Sequence, residues 1–260
     1  MSELAPDEIA PGVYVATAAM YTTTTTIVAG PDGRCLLVDP AVSVADLAAL
    51  ADWLARRGLR PVAGWSTHPH WDHLLWSAAL GDPPRYATPR AVAVTAGARA
   101  DLTSGVRTAA PGHDLTLFAR VVALRGEAID WAGPRALVYS HDAHAPGHGA
   151  VFLPDSGVLI AGDMLSDLEI PLLDTVADDP LGDYRTGLER LASVPGVRQV
   201  VPGHGHVGDA SEFERRLAAD FAYLDTLALG KPFSDPRLED GPEWMRTTHE
   251  EQVRYYQEPA

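Results

Sequence analysis

A single cysteine in 260 residues, Cys35, excludes any disulfide within the chain. It sits in the strand-like run Arg-Cys-Leu-Leu-Val-Asp, so a buried, inert thiol is expected. Basic side chains are scarce as well: 20 Lys and Arg against 35 Asp and Glu leave a formal net charge of −15. Such a field repels phosphate backbones and anionic headgroups, which argues against nucleic acid and membrane surfaces as partners and leaves a small-molecule substrate. No apolar run approaches the roughly 18 residues that a transmembrane helix requires. The opening residues, Met-Ser-Glu-Leu-Ala-Pro-Asp-Glu, have neither the basic nor the apolar region of a secretory leader. A cytoplasmic location is the default expectation.

What is present is the balance of a globular protein, with 46% hydrophobic and 21% charged residues. Strands are expected at Val13–Ala16, Thr22–Gly30 and Cys35–Val38, the second ending at a Pro-Asp-Gly turn. Val44–Arg57 has helical spacing, with Leu47, Leu50 and Leu54 on one face and Gly58 as a stop. A short apolar strand, Pro61–Ser66, runs straight into a histidine-rich segment. Further along, Pro89–Ala100 reads as a helix, residues 101–116 as a loop, and Leu117–Leu124 and Arg135–Ser140 as strands. Ala150–Leu153 and Gly157–Ala161 form a hairpin around Pro-Asp-Ser, and Leu165–Gly182 is a loop able to cover a site. Asp183–Ser193 is expected to be a helix, Val197–Val201 a strand, Asp209–Leu229 a long amphipathic helix, and Glu243–Gln257 a final short helix. With no repeat and no linker, residues 1–260 are expected to be a single domain carrying a helical C-terminal segment from about residue 209. The mixture of strands and helices points to a layered α/β architecture.

Four strand ends carry metal-type side chains. The first is His68-Pro-His70-Trp-Asp72-His73, which leaves its strand with four ionisable groups in six positions. Strand alternation lets His68 and His70 point one way, and the following turn brings Asp72 and His73 to the other side. Imidazole and carboxylate donors in this arrangement suit zinc or iron. The second segment holds His141, His144 and His148, among which spacing alone does not choose. The third, Leu-Ile-Ala-Gly-Asp163, is an apolar strand ending in a carboxylate. The fourth is Val-Val-Pro-Gly-His204-Gly-His206. An Asp or His after a strand is usually a turn residue; four such ends in one chain carry the inference together.

The ordered set His-x-His-x-Asp-His, His-x-x-Gly-His, Gly-Asp and Pro-Gly-His-Gly resembles the metallo-β-lactamase superfamily, which includes glyoxalase II enzymes and lactonases, over about residues 13–207. The resemblance implies an αββα sandwich with two metal ions at one edge. Carried over residue by residue, it implies a first ion held by His68, His70 and His144, a second held by Asp72, His73 and His204, and Asp163 bridging the two. His148 then falls on a position that does not ligate, and His141 and His206 have no counterpart. Asp39, in Val-Asp-Pro, falls where the family has a buried carboxylate near the first motif, which leaves two readings, a carboxylate that orients a ligand imidazole or an ordinary turn residue. The chain departs from the family after His73, where Leu74-Leu75-Trp76 is expected to change a pocket wall. It also lacks the basic C-terminal residues that grip glutathione, which disfavours glyoxalase II.

The expected function is therefore a metal-dependent hydrolase. Two divalent ions, zinc first with iron or manganese as alternatives, would acidify a bridging water to attack an ester, lactone or thioester, with Asp72 orienting the nucleophile. Tyr21 and His206 are candidates for a general acid, and Trp71, Met164, Leu168 and Ile170 for pocket lining. The competing readings are an iron-dependent oxidoreductase on the same ligand cage, or a hydrolase of β-lactams or phosphoesters.

Overall fold

The computed structural model describes residues 4–230 and 234–257. Two sheets stack face to face. The first runs β1 (Asp7–Ala10), β2 (Val13–Thr17), β3 (Thr24–Ala29), β4 (Arg34–Val38), β5 (Arg60–Trp65), β6 (Arg85–Ala87) and β7 (Val122–Ala123), in spatial as well as chain order. The second contains β8 (Leu137–His141), β9 (His148–Leu153), β10 (Val158–Gly162), β11 (Gln199–Pro202) and β12 (Gly208–Asp209), ordered β12-β11-β10-β9-β8. Helices α1 (Val44–Arg56), α2 (Pro89–Gly97) and α3 (Arg99–Ala109) belong to the first half of the chain. Helices α4 (Pro180–Ala192), α5 (Ala210–Leu229), α6 (Pro236–Glu239) and α7 (Glu243–Gln257) belong to the second.

Strand alternation explains the layering. In β4, Leu36 and Val38 face the other sheet, while Cys35 and Leu37 face α1 and pack with Leu47, Leu50 and Leu54. In β10, Val158 and Ile160 face inward, and Leu159 and Ala161 pack against Leu188 and Leu191 of α4 and Leu217 and Leu224 of α5. Both faces of each central strand are buried, which is why these strands read as unbroken apolar runs rather than as alternating ones. Each such side chain contributes about 1.5–3 kcal/mol through removal from water. The result is the αββα sandwich that the motif order implies. Among the described residues no helix is long and apolar enough to cross a membrane.

Local signals set the helix ends. Ser43 caps α1 by accepting from Asp46 N, and the Asp46 carboxylate accepts from Ser43 N, a reciprocal box. Asp209, expected as the first residue of the long helix, is instead its cap and accepts from Glu212 N.

Three local expectations are corrected. Residues 101–116 are not a loop throughout, since α3 occupies Arg99–Ala109. Val106 and, in part, Leu102 bury one face of it, and that face decides the conformation over an indifferent local pattern. The helix expected at Pro89–Ala100 accordingly ends at Gly97. The strand expected at Leu117–Leu124 pairs only at Val122–Ala123: Leu117 and Phe118 are buried under the first sheet without joining it, and Ala119 takes φ 54°. Leu74, Leu75 and Trp76 are not among the residues that border the metal cavity. They are 3, 2 and 3% exposed and complete the core beneath α1.

Cys35 is fully buried, and burial pushes its thiol up to about 12. At pH 8 the group is therefore protonated as well as inaccessible. A soluble disulfide reagent should leave the native protein unlabelled and titrate one thiol only on denaturation; rapid labelling of the native state would contradict this packing.

Candidate metal centre

Both sheets deliver their functional residues to the same edge. Asp39 follows β4, His68 to His73 follow β5, His144 lies in the β8–β9 turn, Asp163 follows β10 and His204 follows β11. The β4–β5 and β10–β11 pairs are parallel, so four strands bring their carboxyl ends to one rim, where side chains leave the ladder. The chain is stitched across the sandwich here: Thr24 N donates to Gly203 O at 2.8 Å, and Gly205 N donates to Thr22 O at 3.0 Å. The glycine before His204 is required by close approach, because a Cβ on Gly203 would lie 1.9 Å from Asp163 Oδ1.

The donors fall into two adjoining groups. In the first, His70 Nδ1 lies 3.0 Å from His68 Nε2 and 3.1 Å from His144 Nε2. Asp163 Oδ2 lies 3.4 Å from both Nε2 atoms. In the second, His204 Nε2 is 3.2 Å from Asp72 Oδ2 and 3.4 Å from His73 Nε2, which is itself 3.6 Å from Asp72 Oδ2. Asp163 stands between them, with Oδ1 3.2 Å from His73 Nε2 and Oδ2 3.3 Å from His204 Nε2. In each group the donor atoms, one per residue, all lie within 4.8 Å of one another. All seven residues expected from the sequence are thus brought together.

The outward nitrogens show what the inward ones can accept. His144 Nδ1 donates to Leu172 O at 3.0 Å, and His204 Nδ1 to Tyr21 O at 3.1 Å. His73 Nδ1 donates to Asp39 Oδ2 at 2.9 Å. His68 Nδ1 reaches Thr67 Oγ1 at 3.0 Å, and that hydroxyl donates its own proton to Asp39 Oδ2 at 2.6 Å. With those protons outside, four Nε2 lone pairs and two carboxylates face one space. His70 Nδ1 has an acceptor on either side and can donate to only one. Such a convergence is repulsive until a cation neutralises it, and a set of nitrogens and carboxylate oxygens fits a pair of divalent ions of the zinc or iron kind.

Without cations, protons must balance the carboxylates. Burial would depress His73 and His204, but the charges of Asp163 and Asp72 outweigh it and hold both imidazoles well above their usual range. Burial would raise Asp163, yet His204, His73 and His68 hold it well below. Burial keeps His68 well below the usual imidazole range and, with His144, lowers His70 to about 4. Metal binding would then release protons from the second group.

Asp39 is the orienting carboxylate. Besides His73 and the Thr67 hydroxyl, it accepts from Thr67 N at 2.9 Å. Asp39 and His144 hold left-handed backbone, at φ 47° and 65°, and non-glycine residues persist there only where their surroundings over-determine them.

His148 faces inward instead. Its ring stacks on His68 at 5.1 Å and on His141 at 4.6 Å, each with 13° between planes, and the nitrogens of His141 and His148 make no hydrogen bond among the described residues. His206 is 63% exposed at its side chain and binds Asp167 Oδ2 at 2.8 Å, so it does not serve the centre as a general acid. Of the expected lining residues, Trp71 borders the metal cavity and Leu168 an adjoining chamber, but Met164 and Ile170 are core. Tyr21 does border the cavity, its ring edge-on to Trp71 at 6.5 Å. Leu102, Glu169, Leu172 and Trp244 also border it and escaped sequence reasoning; of these Glu169 alone is ionisable. Glu169, in the loop before α4, borders the same cavity, and burial together with the nearby Asp163, against His204, pushes its carboxyl up to about 7. Only its place in a long, unperiodic loop hinted at it.

Comparison with known proteins agrees with this geometry. The profile of the metallo-beta-lactamase superfamily matches residues 21–204. The hydroxyacylglutathione hydrolase of Ruegeria pomeroyi is 29% identical over 196 residues, covering 75% of this chain and 67% of that protein. Among solved structures, a beta-lactamase domain protein from Burkholderia ambifaria superposes with a TM-score of 0.71 at 19% identity, over 98% of this chain and 88% of that one. TTHA1623 in a di-iron-bound form gives a TM-score of 0.61 at 28% identity, over 78% and 98% respectively.

Two substitutions test the arrangement. His144→Ala should lower metal content in a chelator competition far more than His148→Ala, which removes a stacking ring but no donor; equal losses would mean that the wrong histidine has been assigned. Asp39→Asn should weaken binding in the second group by about 10–100-fold while the fold persists.

Proposed function

This chain belongs to the metallo-beta-lactamase superfamily, and on that premise we propose that it cleaves a carboxylic ester, lactone or thioester of a small molecule at a centre of two divalent ions. Membership makes it a metal-dependent hydrolase. The observation that carries the finer reading is the bridging place of Asp163 between His68, His70 and His144 on one side and Asp72, His73 and His204 on the other. These seven residues would hold the pair, with zinc as the first choice of metal.

What bound cations supply is an acidified water and a Lewis acid toward the carbonyl oxygen. The residues of the chain do the rest. Asp72 borders the cavity with its carboxylate, where it can orient the attacking water and take its proton. The water oxygen bonds to the carbonyl carbon, the bond to oxygen or sulfur breaks, and the proton passes to the leaving group. Asp39 and Thr67 keep His73 and His68 in register, and the buried rim excludes bulk water from their nitrogens. A thioester fits the class, because the curated relative is named for hydrolysing hydroxyacylglutathione, itself a thioester. An iron-dependent oxidoreductase is the second reading, favoured by the likeness to a protein seen with two irons.

Chelation should abolish turnover of chromogenic esters, lactones and thioesters, and added zinc should restore it. His68→Ala and Asp163→Ala should each lower both metal content and turnover; if either variant kept both, the assigned donors would be wrong. Oxygen consumption by iron-loaded protein, without ester turnover by the zinc form, would favour the second reading.

A further inference from the structure

The metal cavity, of about 530 Å³, adjoins a second chamber of about 430 Å³, and Tyr21, Glu169 and Trp244 border both. The far walls of the second chamber come from Leu168 in the covering loop and from Pro236, Pro242 and Met245 in the C-terminal helical segment. Tyr21 and Trp244 are 52 and 46% exposed, so packing within the chain leaves two large aromatic side chains unspent at the junction.

Charge on these walls has one sign. Arg237 is the one basic residue among the described lining residues, and its guanidinium is already committed, to Asp220 at 2.6 Å, to Asp235 at 2.8 Å and to Glu169 O at 3.0 Å. Asp167 is engaged by His206 at 2.8 Å and faces Arg216 at 3.8 Å. The carboxylates of Glu169 and Asp240 have no hydrogen bond or ion pair among the described residues. Aromatic faces attract cations and stack on apolar groups, and unpaired carboxylates beside them repel anions once ionised, which for Glu169 means above about pH 7.

The geometry points to the second chamber as the subsite for the non-reacting part of the substrate, selecting a neutral or cationic group with an apolar body, such as a quaternary ammonium, over an anionic one. This rests on the hydrolase reading and narrows it: glutathione, with its surplus carboxylates, is the wrong sign for these walls. Preference then comes as much from repulsion of the wrong partner as from attraction of the right one.

The test uses metal-loaded protein and two series of thioesters. One pairs a fixed acyl group with thiocholine, N-acetylcysteamine or glutathione; the other pairs N-acetylcysteamine with betaine, butyryl or succinyl groups. In at least one series, kcat/KM for the cationic or neutral member should exceed that of the anionic member by about tenfold or more. The preference should shrink with added salt and in the Glu169→Gln/Asp240→Asn double variant. Turnover with the anionic members equal or better in both series would overturn the subsite while leaving the hydrolase reading intact. Independently of turnover, calorimetric titration with phenyltrimethylammonium should show saturable binding, weakened about tenfold in Trp244→Ala and in the double variant. No saturable binding would overturn the subsite, whereas such binding without turnover of any ester would support the subsite and sink the hydrolase reading.

Discussion

Mutual repulsion among inward lone pairs is the constraint on which the rest of this structure depends. His68, His73, His144 and His204 each give their Nδ1 proton to an outward acceptor, so that Nε2 faces Asp72 and Asp163 and, in the absence of cations, His73 and His204 carry the balancing protons there. An arrangement of this kind costs stability unless a positive charge occupies the middle. The surroundings are built to hold it all the same. Asp39 and Thr67 form a shared brace behind His68 and His73, the Leu172 carbonyl fixes His144, and Tyr21 O with Thr23 fixes His204.

The brace explains why the centre lies between two sheets rather than on one. Residues after β4 and β5 supply Asp39, Thr67 and the first histidines, and residues after β10 and β11 supply Asp163 and His204. Pairing of Thr24 with Gly203 and of Thr22 with Gly205 holds the two halves at fixed spacing. Glycine at 203 lets the backbone pass within reach of Asp163, and glycine at 162, with φ 60°, leaves room for the His148 ring, whose Nε2 would lie 2.4 Å from a Cβ there. Trp71 and Tyr21 border the metal cavity, and Tyr21 also borders the acidic, aromatic chamber beside it. On the proposed reading the metal edge would supply reactivity, and selection would come from the chamber walled by Tyr21, the Asp167–Glu169 loop and the C-terminal segment.

The resemblance of the ordered motifs nominated the seven candidate donors that the fold gathers, while strand alternation and turn chemistry alone left the histidine of the second segment open. The central strands were equally legible, since two-sided burial demands unbroken apolar runs such as Cys35–Val38 and Val158–Ala161. Helix α3 was not legible, because its burial rests on Val106 and a partly covered Leu102 in an otherwise polar stretch. The role of Leu74-Leu75-Trp76 was misjudged for a related reason. Adjacency to His73 in sequence suggested a pocket wall, but the short helical turn at Trp71–His73 redirects the chain into the core.

Residue types and their order along the chain therefore pointed to the sandwich through local periodicity, and to the edge and the seven candidate donors through the resemblance of their motifs. Only the folded chain decided which nitrogen of each histidine faces inward and that Glu169 borders the cavity, and it set His144 rather than His148 beside His68 and His70, as the motif resemblance implied. Those outcomes depend on hydrogen-bond partners such as Leu172 O and Tyr21 O and on the course of an irregular loop. Contacts between residues remote in the chain leave no periodic trace in it.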